Sequence, residues 1–142
     1  MSLVLDASVA LAWIFERADP GEVTLADRLL DDIAIQSVWV PSLWYLEVAN
    51  ALLTAERRGV VNEAQVIDYL QRLSRLPIMT DDAEVSHRQE AIMALGRQFQ
   101  LTAYDASYLE LALRTGSTLA TFHTKLARAM QQVGGQTYPE PG

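Results

Sequence analysis

The feature that most constrains this chain is a series of very short apolar runs, each cut off by a polar or breaking residue. Residues 3–5 (LVL) end at Asp6, residues 37–40 (SVWV) stop at Pro41, and residues 77–79 (PIM) lead toward Asp81 and Asp82. Residues 118–122 (TLATF) halt at His123, and residues 136–138 (QTY) offer a last edge strand. Runs this short are read as strands, and the near-absence of polar alternation fits burial on both faces. Stretches with helical spacing separate them: residues 8–15, 23–30, 43–58, 62–73, a run from Asp81 toward Phe99, residues 102–115 and 125–133. Strands alternating with helices predict the α/β class, with a central, mostly parallel sheet covered by helices on both faces.

Helix ends carry their own signals. Asp19-Pro20-Gly21 breaks the first helix, Ser42 is placed to cap the third, and Gly59 ends it. Asn62 with Gln65, Asp81 with Glu84, and Thr102 with Asp105 each have the spacing of a capping box, and Gly116 closes the last of these helices.

Length and charge narrow the function. The 142 residues suit one domain, since domains commonly run to about 100–150. Without cysteine, disulfides and thiolate metal sites are excluded, and a reducing cytoplasm is the expected compartment. The longest apolar run, residues 9–15, falls far short of the ~20 a membrane helix needs, and the start shows no signal-peptide pattern. A net charge of −7 argues against nucleic-acid binding over a broad surface, because phosphate contacts dominate that affinity. A local patch or a metal ion still allows it. Only Lys125 among the eleven basic residues is a lysine, a bias read as composition rather than chemistry.

Three acids stand out. Asp6 ends the first strand, where an aspartate commonly caps the following helix; Ser8 can fill that role, which frees the carboxylate. Asp105 follows Thr102 by three residues and suits a helix start, yet it lies in DAS, the tripeptide of residues 6–8. Both aspartates border apolar segments and are expected at one end of the sheet. Glu47 falls at the margin of an apolar stripe through Trp44, Val48, Ala51 and Ala55, with no local cation to pair with. A carboxylate turned toward the core without a partner is costly, and a metal or a hydrogen-bond donor removes that cost.

Four stretches, LVLDASVALAW, PSLWYLEVANAL, LTAYDASYLELA and TLATFHTKLARA, occur in this order across nearly the whole chain. Together they resemble the PIN domain, most closely the VapC-type toxins of bacterial toxin–antitoxin pairs. The resemblance implies one PIN-like domain over residues 1–142, a three-layer α/β/α sandwich whose acids gather at one end of the sheet. It implies a metal-dependent endoribonuclease with Mg²⁺ or Mn²⁺ held by Asp6, Glu47 and Asp105. Ser8 and Thr121 then support those carboxylates. The family's fourth acid follows a hydroxyl residue by two positions; here Thr121 matches the hydroxyl and His123 replaces the acid. That position implies His123 at the rim of the site, contacting metal-bound water, the phosphate or the leaving oxygen, and imidazole suits transition metals better than Mg²⁺. His87 reads as a solvated helix residue.

The resemblance also implies RNA as substrate, a VapB-like antitoxin as partner and a homodimer. The apolar residues Val9, Ala10, Leu11, Trp13, Ile14 and Phe15 exceed what one helix face can bury, which fits an interface. Two other readings compete. One is a PIN-like RNA- or protein-binding module whose catalysis is weakened by His123. The other is a phosphoacceptor receiver domain, another small acidic α/β protein, for which Asp81 and Asp82 are the nearest acid pair.

Overall fold

The computed structural model describes residues 2–15 and 19–140. Strands β1 (Ser2–Leu5), β2 (Ser37–Val40), β3 (Ile78–Thr80), β4 (Thr118–Ala120) and β5 (Thr137–Tyr138) form one sheet in the order β3-β2-β1-β4-β5. All four pairings are parallel. The sheet grows from β1 through β2 to β3, then resumes on the other side of β1 with β4 and β5. Such a reversal leaves a crevice outside the carboxyl ends of the two strands that flank it, here β1 and β4. Leu3, Val4 and Leu5 are at most 2% exposed, so both faces of β1 are covered, as the unbroken apolar run predicts.

The helices are α1 (Ala7–Leu11), α2 (Pro20–Ile33), α3 (Leu43–Arg57), α4 (Glu63–Ser74), α5 (Gln89–Phe99), α6 (Ala103–Thr115) and α7 (Thr124–Gln132). They complete a PIN-like α/β/α sandwich around a core that joins Leu29 and Ile33 of α2, Trp44 and Val48 of α3, Leu109 of α6 and Leu126 of α7. No helix among the described residues is long and apolar enough to cross a membrane.

Several local readings change. The first helix stops at Leu11 instead of Phe15, because the chain turns so that the Trp13 indole donates to the Ala26 carbonyl at 2.8 Å. Val9 and Ala10 are fully buried, while Leu11, Trp13, Ile14 and Phe15 pack half-buried against the core. The surplus apolar surface expected there is largely absorbed within the chain. Instead it lies on the outer side of α3 and its exit, where Leu46 is 75%, Leu53 48% and Val60 65% exposed. Helix α2 starts earlier than read, at Pro20, since Asp19 accepts from the Gly21 amide and proline suits the first helical turn.

Ser42 precedes α3 without a capping bond, and the deep stripe of that helix is Trp44, Val48, Leu52 and Ala55. Leu52 thus takes the place assigned to Ala51, its larger side chain filling the core. The Asn62–Gln65 box forms in both directions. The Asp81–Glu84 box does not. The Asp81 carboxylate is held by Arg88 at 3.3 Å and Arg114 at 2.6 Å. A 3₁₀ turn at Val85–His87 intervenes, so α5 begins only at Gln89. Thr102 accepts from the Asp105 amide, without the reciprocal bond, and Gly116 closes α6 in the left-handed region.

Candidate active site

Four elements deliver side chains to the crevice beyond β1 and β4. Asp6 follows the last residue of β1, and its amide donates to the Ala120 carbonyl of β4 at 2.9 Å. It occupies the N-cap position of α1, yet its side chain makes no capping bond. The carboxylate, 1% exposed, is used otherwise: Ser8 Oγ donates to Oδ2 at 2.8 Å and Thr121 Oγ1 donates to the same oxygen at 2.6 Å. Those hydroxyls are themselves oriented, because Ser8 Oγ accepts from the Phe122 amide and Thr121 Oγ1 from the His123 amide, both at 3.0 Å. With backbone donors filling the hydroxyl lone pairs, the hydroxyl protons are directed at Asp6. The turn after β4 and the acid after β1 are thereby stitched into one unit.

Asp105 sits in the first turn of α6, its own amide bound by Thr102 Oγ1 at 3.1 Å. Its carboxylate faces His123. The imidazole Nδ1 lies 3.5 Å from Asp6 Oδ2 and 3.6 Å from Asp105 Oδ1, so His123 bridges the two aspartates. The adjacent Asp105 carboxylate raises the His123 pKa above its usual 6.5; partial burial opposes this, and the charges of Asp6, Asp105 and Glu47 reinforce it.

Glu47, one turn into α3, receives a 2.5 Å hydrogen bond at Oε1 from the hydroxyl of Tyr108. Burial pushes its pKa up, the nearby charges of Asp6 and Asp105 push the same way, and the Tyr108 bond and His123 pull it down. Tyr108 is itself fully buried, and its own pKa is raised, chiefly by that burial. Sequence reasoning missed Tyr108. The available signal was its place three residues after Asp105, which puts both on one face of α6.

Asp6, Asp105 and His123 therefore meet directly, and Glu47 lies within their electrostatic reach. As they stand, no three acid or imidazole side chains among the described residues form a group ready to hold an ion. The reason is visible in the contacts: His123 occupies the gap between the aspartates, and Tyr108 holds Glu47. The donor chemistry nonetheless suits a hard divalent cation, which prefers carboxylate oxygens, and Glu47, whose pKa is raised beside two further acids, favours a cation among them. The His123 side chain is 52% exposed and has open solvent to turn into.

Asp81 belongs elsewhere. With Glu110, Arg88 and Arg114 it forms a largely buried ion network, in which Arg88 meets Glu110 at 3.0 Å and Arg114 meets Glu110 at 2.6 Å. A carboxylate clamped by two guanidinium groups is a poor phosphoacceptor. His87 is exposed beside Glu84 at 3.8 Å, as expected of a solvated residue. A cavity of about 530 Å³ borders Gln36, Thr118 and Gln136 at the starts of the strands, away from Asp6, Glu47 and Asp105.

The chain is similar to known proteins in sequence and in fold. A curated relative, Ribonuclease VapC3 of Pyrobaculum aerophilum, is 29% identical over 130 residues, covering 89% of this chain and 93% of its own. Among solved structures, PAE2754 from Pyrobaculum aerophilum superposes with a TM-score of 0.70 at 22% identity, covering 98% of this chain and 93% of that one. FitAcB from Neisseria gonorrhoeae does so at 0.61 and 17%, with 95% of each chain covered. VapBC2 from Rickettsia felis, solved with a DNA fragment from their promoter, matches at 0.64 and 14%, covering 96% and 97%. The family model for the PIN domain matches residues 3–130, and the chain belongs to that family.

Proposed function

We propose that this chain is a divalent-metal-dependent endoribonuclease that acts as the toxin of a toxin–antitoxin pair. The observation that carries the reading is Asp6, a buried carboxylate not spent on capping, receiving two hydroxyl protons beside Asp105, with Glu47 in reach. Asp6 and Asp105 would hold Mg²⁺ or Mn²⁺ directly, with Glu47 as a further ligand or the group that orients water. A divalent ion there supplies charge that polarises a phosphodiester and offsets the acids toward an anionic substrate. Ser8 and Thr121 fix the Asp6 carboxylate, a supporting layer that governs how well ligands are aimed. Tyr108 takes Oε1 of Glu47 and leaves Oε2 to ligate or to accept a proton. The raised pKa brings that carboxylate nearer to the range useful for a base. When protonated, His123 balances Asp6 and Asp105, and at the rim it would meet a phosphate or leaving oxygen.

The partner reading rests on the relatives, one named Ribonuclease VapC3 and another solved as VapBC2. We assign residues 1–142 to one domain, a VapB-like antitoxin and a second copy as partners, and the cytoplasm as the compartment. The outer face of α3, with Leu46 and Leu53, gives such a partner apolar surface.

Purified protein incubated with RNA and Mg²⁺ or Mn²⁺ tests this beside Asp6→Asn. Cleavage by wild type and none by the variant is expected; equal products from both refute it. A second reading is favoured by the imidazole between the aspartates: a PIN-like binding module with weakened catalysis. Calorimetry separates the two, since that module takes up no Mn²⁺.

A further inference from the structure

Two hollows flank Arg128 of α7, and their charges differ. One is bordered by Thr121 and His123 together with Asp19, Glu22 and Glu140. The other, of about 250 Å³, is lined by Gln98, Phe99, Gln100, Lys125, Arg128 and Gln132 and contains no acid. Arg128 borders both, and Lys125 of the second hollow lies two residues beyond His123 in sequence. Lys125, Arg128 and Gln132 are spaced at i, i+3 and i+7, which lines them along one face of α7. In a chain of net charge −7, this is a local exception. Both cations are exposed, and among the described residues no carboxylate lies within ion-pair distance of either.

Gln100 adds an independent observation. Four described residues have a positive φ: Gly59, Gly116, Gly134 and Gln100, the last at 55° with ψ 44°. The left-handed region crowds a Cβ against the backbone, and glycine is the usual solution at a helix end. The end of α5 retains a glutamine there, and its side chain lines the groove. A glutamine in that strained conformation at the edge of a groove is a candidate for a contact outside the fold.

We propose that the groove between α7 and the carboxyl end of α5 carries the single-stranded RNA flanking the scissile phosphate, with Lys125, Arg128 and Gln100 as its contacts. This rests on the ribonuclease reading above. Cations and amides match phosphates and base edges, Phe99 adds an aromatic surface, and the acidic hollow repels the strand from the alternative path.

The test is fluorescence anisotropy of a labelled single-stranded oligoribonucleotide in EDTA, where no metal-dependent cleavage intervenes. Lys125→Ala/Arg128→Ala is compared with Arg57→Ala/Arg75→Ala, which removes the same charge elsewhere. The first pair should weaken binding about tenfold near 50 mM salt and lower the salt slope by about 1.4, two lost phosphate contacts at roughly 0.7 each. The second pair should stay within about twofold, as expected for screened remote charges. Gln100→Gly should keep or raise the melting temperature while weakening binding about threefold, a combination that relief of backbone strain alone does not produce. No binding by wild type, equal losses from both pairs, or unchanged binding by Gln100→Gly overturns the groove contacts. Cleavage with the same KM by wild type and Lys125→Ala/Arg128→Ala does so too, while leaving the ribonuclease standing. Binding that behaves as expected without any cleavage in Mn²⁺ overturns the ribonuclease and leaves the groove.

Discussion

Replacing Tyr108 by phenylalanine removes one oxygen and keeps the ring that fills the core. The lost hydroxyl is the donor to Glu47 Oε1 at 2.5 Å, from a residue with no exposure. A hydrogen bond to a charged acceptor contributes about 1.5–3 kcal/mol, and near this chain length each kcal/mol moves Tm by about 3–4 °C. The metal-free variant should therefore lose ~1.5–3 kcal/mol at pH 7, or roughly 5–10 °C. The sign with pH follows from which form of Glu47 benefits. The phenol stabilises the carboxylate and lowers a pKa that burial has raised, so the variant pKa rises further. Its deficit is full where Glu47 is ionised and shrinks as pH falls through the folded pKa of Glu47. Urea denaturation at pH 7 and near pH 4 measures both values. Equal losses at the two pH values would show that Tyr108 contributes packing and does not hold a carboxylate. A loss under about 0.5 kcal/mol at pH 7 would refute the bond outright. If Glu47 serves the reaction, the same variant should lower kcat on RNA while leaving KM nearly unchanged.

Four further outcomes are expected. Thr121→Val, which takes a 2.6 Å donor from buried Asp6, should cost about 1.5–3 kcal/mol in urea denaturation, with Thr121→Ser recovering most of it. NMR titration of the metal-free protein should give His123 a pKa above 6.5 that falls in Asp105→Asn, since that carboxylate is the main cause of the rise; the stability it adds is full below pH 6.5 and disappears as pH rises through the folded value. His123→Asp should strengthen Mg²⁺ binding in calorimetry and flatten its pH dependence between roughly 6 and 8, because a proton no longer competes with the cation. Arg88→Met should cost on the order of 3 kcal/mol by the same denaturation assay, leaving Asp81 and Glu110 to Arg114 alone.

The strands were legible because short apolar runs leave few alternatives. β2 ends at Val40 since Pro41 cannot continue the ladder, and Gly59 and Gly116 mark helix ends that only a left-handed residue completes. Asp6 and Asp105 were legible from their places at element boundaries, and Glu47 from its position beside an apolar stripe. What failed depended on partners distant in sequence. The Asp81–Glu84 box is correct by spacing and absent in the fold because Arg88 and Arg114 claim Asp81. Tyr108 meets Glu47 across 61 positions, a contact no local pattern encodes. The first helix stops early because Trp13 finds Ala26, again a tertiary partner. His123 was placed at the rim on the family pattern, but its position between two aspartates emerges only when β1, β4 and α6 are assembled.

Whether Asp6, Glu47 and Asp105 hold a divalent cation is seen without intermediaries in a Mn²⁺-soaked crystal. An anomalous peak is expected at bonding distance from carboxylate oxygens of Asp6 and Asp105, near Glu47, with the His123 imidazole turned away from the gap it fills in the metal-free chain. A crystal saturated with Mn²⁺ that shows no such peak, with His123 still bridging the two aspartates, would contradict that expectation.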